Sequence, residues 1–234
     1  VTGYGLSSVD SAAIAGSVCR LTISAGHSQI VDGVCEIAGV TTPAVLNGKW
    51  KVKAITATTV TFDMDTIADQ TATGAITVKV ASLGWTEAFT GTNVACFKSS
   101  DVTSNGHYLR VDDSVASPLR VIGYESMTAH STGVNPFPTA AQVAGGAYWP
   151  KAVTANATAH PWLMWGDSKG FYWSPVPSLL TTDPTPQNTN AFFFGDPISL
   201  LSTDLYGTIL CAGNSAAVNN SGGQTVNVFN CGGG

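Results

Sequence analysis

Charge is what this chain has least of. Only 11% of its 234 residues are Asp, Glu, Lys or Arg, against about 25% in an average globular protein. Ten Lys plus Arg face 15 Asp plus Glu, for a net charge of -5. No stretch gathers Lys and Arg into a stripe, so the counterion release that drives nucleic-acid binding has no source here. No apolar run reaches the ~20 residues that carry a helix across a bilayer, and no basic-then-apolar leader opens the chain; neither membrane insertion nor nucleic acid is expected. The 5 cysteines, at positions 19, 35, 96, 211 and 231, are odd in number and lack CxxC spacing. The 4 histidines, at 27, 107, 130 and 160, form no HxH or HExxH pair. A zinc site, a complete disulfide set and a local metal or cofactor motif are therefore not indicated. Cys19, Cys35, Cys96 and Cys211 lie in apolar runs and are expected to be buried thiols, the usual setting of free cysteine.

Sustained helical periodicity is also missing, and short alternating runs take its place. From Ser17 the chain reads SVCRLTIS, GVCEIAG, KWKVKAIT, TVTFDM and GAITVKV, each bounded by Gly, Asn, Asp or Pro. Trp50, Val52 and Ala54 alternate with Lys49, Lys51 and Lys53, as expected for a strand with one dry face. These runs predict a small β barrel or sandwich whose strands after Leu46 follow one another as hairpins. Val1–Gly16 shows no clear period and reads as a lead-in. Around Trp85–Tyr124 three further runs are expected, Thr86–Phe97, His107–Asp112 and Leu119–Tyr124, with Asn105-Gly106 as a tight turn. Leu109 and Val111 should face the core, and Tyr108, Arg110 and Asp112 the solvent. Val134–Pro150 reads mainly as loop with one helical turn at TAAQVA, and SLLSTD from Ser199 as a second such turn. HPWLMWGDSKGFYWSP predicts two aromatic strands about a turn, NAFFFGDP, YGTILCAG and Gln224–Phe229 predict three more, and Thr181–Asn190 a polar loop. The fold class is all-β, with a small β barrel or sandwich module ahead of a larger antiparallel, sandwich-like domain.

Three patterns bear on chemistry. Gly166-Asp167-Ser168-Lys169-Gly170 fits GxSxG, the elbow that exposes a nucleophilic serine ahead of a helix. Pro175 and Pro177 follow within a few residues, so a helix is not expected there, and Ser168 reads as an exposed hairpin tip. Asp112, Asp113 and Glu125 resemble paired carboxylates for glycoside hydrolysis. Adjacent strand residues point to opposite faces, however, so Asp112 and Asp113 should not converge. No catalytic residue is assigned. Trp149, Trp162, Trp165, Tyr172 and Trp173 form an aromatic-dense region read as core and subunit contact surface, a candidate interface; the alternative is a platform for sugar rings.

The segments GVCEIAGVTTPAVLNGKWKVKAITATTVTFDM, LGWTEAFTGTNVACFKS, HYLRVDDS, RVIGYESMTAHSTGVNPFPTAAQVAGGAYWPKA and FFFGDPISLLSTDLYGTILCA resemble structural proteins of tailed bacteriophages and prophages. The resemblance spans about Ser17 to Ala212, with YLRVDD and PFPTAAQ its most distinctive pieces. In such proteins the VTGYG lead can run straight into the LGW segment. Residues 1–5 are then a lead-in, 6–82 an inserted β module and 83–234 the main domain. Relatives also carry a stretch ahead of VTGYG, so the intact protein is expected to begin before Val1. The resemblance implies a virion component without enzymatic activity and does not by itself separate tail, baseplate and head; the tail or baseplate is the expected place, with homo-oligomers and contacts to other phage virion proteins. Capsid decoration, or a host-surface glycan-binding module, is the alternative it leaves open.

Overall fold

The computed structural model describes residues 2–64, 67–115, 118–152, 160–176, 191–198, 207–216 and 226–231. Among the described residues all regular structure is antiparallel β strand except one 3-10 turn, and the all-β class follows directly. The chain divides into two compact units, Val1–Leu83 and Gly84–Gly234. The expected helical turn at SLLSTD and the Thr181–Asn190 loop lie outside the described residues.

The first unit is two sheets over one core. Tyr4–Ser8 (β1), Ser11–Ala15 (β2), Val18–Thr22 (β3) and Val34–Thr42 (β4) come first, followed by a single 3-10 turn at Ala44–Leu46. Gly48–Lys51 (β5), Ala54–Ile55 (β6), Thr59–Asp63 (β7), Gln70–Thr71 (β8) and Thr73–Val80 (β9) complete it. One sheet runs β1-β9-β4-β5 and the other β6-β7-β3-β2-β8. The alternating inward residues of both meet: Ile14, Cys19, Leu21, Val60 and Phe62 from one sheet, Cys35, Ile37, Ile76 and Val78 from the other. Trp50 stacks on Phe62 with centroids 5.3 Å apart, and its indole N–H donates to the Leu46 carbonyl.

Three expectations change here. The stretch read as a lead-in contains two strands, because β1 pairs with β9 and β2 with β3; their Ser, Ala and Gly content hides an alternation that burial makes plain at Ala12 and Ile14. KWKVKAIT is not one strand. It leaves one sheet at Lys51 and enters the other at Ala54, with buried Val52 at the crossing. Of the sequential hairpins expected after Leu46 only β6–β7 forms; otherwise pairing is long-range, since β7 also lies against β3 and β9 lies between β1 and β4. Where β4 crosses β9 the backbones nearly touch, and the register shifts between Ala38 and Val40. A Cβ on Gly39 would lie 2.0 Å from the Ala75 carbonyl oxygen, and one on Gly74 would lie 2.2 Å from that of Gly39.

Among the described residues the second unit forms one continuous 11-stranded sheet. Its strands are Trp85–Gly91 (β10), Val94–Ser99 (β11), Tyr108–Asp112 (β12), Leu119–Ala129 (β13), Thr132–Phe137 (β14) and Ala147–Trp149 (β15). Trp162–Gly166 (β16), Gly170–Pro175 (β17), Phe192–Gly195 (β18), Ile209–Gly213 (β19) and Val226–Asn230 (β20) follow. The order is β10-β11-β12-β13-β15-β19-β18-β17-β16, with β14 added on β13 and β20 on β19. The sheet curls until its first strand reaches the β16–β17 turn: the Trp85 indole donates to the Asp167 carbonyl at 2.9 Å. Inside the curl lies an aromatic core in which Phe194 is the hub, within 5.7 Å of Trp85, 6.3 Å of Phe137 and 6.5 Å of Phe171.

The run expected at Thr86–Phe97 is a hairpin, β10 and β11, turning at Asn93 with φ of 58°. Asn105-Gly106 is not a two-residue turn. It belongs to the longer loop from β11 to β12, and Asn105 is held by Asp196 through its backbone N–H at 2.7 Å. Leu109 is buried, as its alternation requires, whereas Arg110 and Asp112 form an ion pair at 2.8 Å that partly covers both. The third run extends past Tyr124 to Ala129, and the segment read as loop from Val134 to Pro150 carries the end of β14 and all of β15. TAAQVA makes a single turn, with the Val143 N–H donating to the Thr139 carbonyl at 3.0 Å.

Candidate interaction site: an exposed aromatic edge strand

Strand β16 ends the sheet and pairs, among the described residues, with β17 alone. Residues 160–166, HPWLMWG, contain no Asp, Glu, Lys or Arg. Apolar side chains of Trp, Leu and Met form the strand because its inner face is in register with the core: Met164 lies opposite Trp173, Trp162 opposite Pro175, and Phe171 opposite Phe194. That inner face should be dry. Phe171, Phe192 and Phe194 on it are buried, yet Trp162 and Met164 stay 55% and 41% exposed. The outer face is no better covered, since Leu163, Trp165 and Tyr172 are all exposed. Natural sheet edges are usually blunted by charge, by proline or by a covering element, because their unpaired N–H and C=O groups invite another strand. Among the described residues only Pro161, just before the strand, interrupts that edge.

The ring geometry fixes how these side chains stand. Trp165 and Tyr172 are direct cross-strand partners and stack at 5.1 Å with planes 9° apart. Trp162 leans on Trp173 at 5.7 Å, and Tyr172 on Phe193 at 4.7 Å. Paired rings hold each other in one orientation, so the ridge is presented with little side-chain freedom left to lose on contact. A shallow cleft of about 420 Å³ runs beside it, lined by Pro161, Trp162, Leu163, Trp165, Ser174, Val176 and Ala191. Of the five aromatic residues singled out from sequence, Trp162, Trp165, Tyr172 and Trp173 come together here. Trp149 does not: it is buried against Phe171 and Phe192, and its indole donates to the Cys211 carbonyl.

No family model, curated protein or solved structure matches this chain.

Ser168 sits in the β16–β17 turn and is followed by β17, not by a helix. Nor is it a free tip. Its hydroxyl donates to Asp101 at 2.7 Å and its carbonyl accepts from the Ser99 hydroxyl at 2.5 Å, so the turn is pinned to the end of β11. Asp101 is held down to about 2, from an ordinary 3.8, first by the Ser168 hydroxyl and then by the Thr103 backbone and hydroxyl. The folded value lies below the unfolded one, so this contribution is complete above about 3.8 and is lost as pH falls toward 2. Ser168→Ala is expected to flatten that acid-side loss. Urea titrations of both proteins between those two values measure it, and identical pH dependence would contradict the assignment.

Asp112 accepts from Arg110, and Asp113 pairs with Lys151, so these neighbours do diverge. Glu125 is tied to the Asn135 side chain. No group of three metal-binding side chains occurs among the described residues. Cys19, Cys35 and Cys96 are buried, and burial pushes the first two thiols up to about 12 and about 11. Cys211 was expected with them but is only partly buried, because it lies on β19 opposite Phe193 and Val228, away from the aromatic core. His27 bridges the Thr56 and Thr59 carbonyls, and His160 the Val176 carbonyl. His107 is different: it contacts residues about a hundred positions away, a convergence no local spacing could reveal.

Proposed function

We propose that this chain is a non-enzymatic structural component of a tailed-phage particle, in its tail or baseplate, held in place by contacts of its β units with copies of itself and with neighbouring virion proteins. The placement in a phage rests on the sequence resemblance; the mode of action rests on β16. An edge strand with core-type residues uncovered on both faces and no guarding charge is the form a strand takes when another chain completes it. Trp and Tyr also concentrate binding energy at protein interfaces. Binding of host glycan is the weaker reading. The cleft beside β16 offers ring faces, but among the described residues that line it only the Ser174 hydroxyl, besides the indole N–H groups, contributes a polar side chain, and its Trp165 face is already taken by Tyr172.

Two measurements test the two halves. In sedimentation velocity the protein is expected to self-associate, and Leu163→Lys with Met164→Lys, one charge on each face of the edge, to weaken that association by roughly a hundredfold, the scale of about 2–3 kcal/mol lost at a hot spot. Added salt should change the wild-type association little, since screening acts on exposed charges and this strand has none. A monomer at every concentration, or dissociation by modest salt, removes the proposed contact. Absence of the chain from purified particles by mass spectrometry removes the phage assignment.

A further inference from the structure

Polar side chains from four separate parts of the second unit meet at the end of β12. Asp196, just past β18, accepts from the Ser104 hydroxyl at 2.8 Å, the Asn105 backbone N–H at 2.7 Å and the Thr208 hydroxyl at 2.5 Å. A threonine hydroxyl has one proton to give. With that proton directed at Asp196, Thr208 Oγ1 can only accept from His107 Nδ1, 2.5 Å away. The ring proton is thereby fixed on Nδ1, and Nε2 turns its lone pair toward Cys231 Sγ at 3.8 Å. The result is a line of thiol, imidazole, hydroxyl and carboxylate. His107 and Thr208 are buried, and the His107 ring meets Phe137 edge-on at 6.2 Å. Cys231 is partly open to solvent, unlike Cys19, Cys35 and Cys96.

We propose that Cys231 is a nucleophilic thiol with His107 as its base, and that the electrophile it accepts is a small-molecule disulfide. In the step, the thiol proton passes to His107 Nε2 as Cys231 Sγ attacks one sulfur of the disulfide. A new S–S bond forms to Cys231, the old S–S bond breaks, and the departing sulfur takes the proton from Nε2 and leaves as a thiol. Nothing is oxidised overall, because one disulfide replaces another. Acyl transfer fits less well, since it needs N–H donors for an oxyanion. The backbone N–H groups of Asn105, Gly106 and Cys231 already donate, to Asp196, Ser104 and Thr208. Disulfide exchange develops its charge on sulfur and needs no such hole. Thr208 and Asp196 act as positioning residues, holding the imidazole in the tautomer that can accept.

The pH dependence distinguishes this arrangement from a merely structural network. Burial holds His107 below the ordinary imidazole value, with Asp196 and Glu125 pulling it up and Lys98 pushing it further down. Burial, and then Glu125, raise the Cys231 thiol. The resting pair is therefore neutral thiol and neutral imidazole, and a base-assisted rate is flat between the two ionisations. A thiol without a base reacts only as thiolate, so its rate climbs about tenfold per pH unit below its pKa. The probe is hydroxyethyl disulfide, which is uncharged and does not titrate, with mixed-disulfide formation at Cys231 followed by mass spectrometry of the whole chain and of its peptides. Wild type should give a plateau from below neutral pH into the alkaline range. His107→Gln should be about a hundredfold slower at neutral pH, the scale of general-base assistance, and should recover the tenfold-per-unit slope. Thr208→Val keeps the base but frees its tautomer, and should slow the reaction by a smaller factor while leaving the plateau. If His107→Gln does not fold, the wild-type profile alone decides. A wild-type rate that rises tenfold per unit, or modification that bypasses Cys231, overturns the proposal.

Discussion

Phe194→Ala is expected to cost the second unit about 3–5 kcal/mol, the range for removing a fully buried aromatic ring. The ring is 1% exposed and touches side chains from three other strands, Trp85 on β10, Phe137 on β14 and Phe171 on β17. β17 is the neighbour of β18, but β10 and β14 lie far from it along the sheet, so Phe194 is where the curled sheet packs against itself. Its loss leaves a cavity bordered by rigid rings that cannot easily collapse into it. Trp85 and Trp149 lie in the same core and report on it by fluorescence during urea unfolding. Val228→Ala, on exposed β20, is the control and should stay within about 0.5 kcal/mol of wild type, as surface changes usually do. A small effect of Phe194→Ala would mean that the curl is held elsewhere.

Gly39→Ala should be nearly as damaging in the first unit, for a reason that has nothing to do with lost contacts. Gly39 has φ of 81°, which an alanine adopts only at a cost on the order of 1–2 kcal/mol. The new methyl would also lie 2.0 Å from the Ala75 carbonyl oxygen, a backbone atom that cannot rotate away. Relieving that clash moves β4 off β9, an overpacking penalty on the order of 1–3 kcal/mol. The sum is roughly 2–5 kcal/mol, measurable as a fall in the urea midpoint of the isolated variant against wild type. By contrast Gly16→Ala has a positive φ of 56° but open space around it, so it isolates the backbone cost from the steric one. Equal effects at the two glycines would show that the close approach of β4 and β9 does not matter.

How far the sequence carried the fold depends on where each signal lies. Alternation at Val60 and Phe62, or at Leu109, is local, and the strands follow it. Pairing partners are not local. Nothing in TVTFDM says that its second edge, beyond the hairpin with β6, will lie beside Val18–Thr22, because that choice is made by the shared core of two sheets. Strands rich in Ala, Ser and Gly, such as Ser11–Ala15, are missed for a related reason: small side chains give weak alternation, and their faces are assigned by what packs over them. At the candidate site, aromatic density drew attention to the right neighbourhood but could not separate Trp149 from Trp162. Both are tryptophans on short strands, and only sheet order distinguishes the covered one from the one at the edge. The line from Cys231 to Asp196 was invisible, since His107 and Cys231 are 124 positions apart.

The position of β19 between β15 and β18 has a consequence for the order of events as the chain leaves the ribosome. Strands β10 to β15 can zip together as they emerge, and β16, β17 and β18 can form their own ladder, but among the described residues no hydrogen-bonded strand joins the two until Ile209–Gly213 has been made. At synthesis rates of about 5–20 residues per second, the aromatic faces of two half-sheets would wait seconds for their bridging strand. A nascent chain stalled before residue 209 should therefore be far stickier than its length suggests, and the cell's chaperones would meet this protein mainly during that interval.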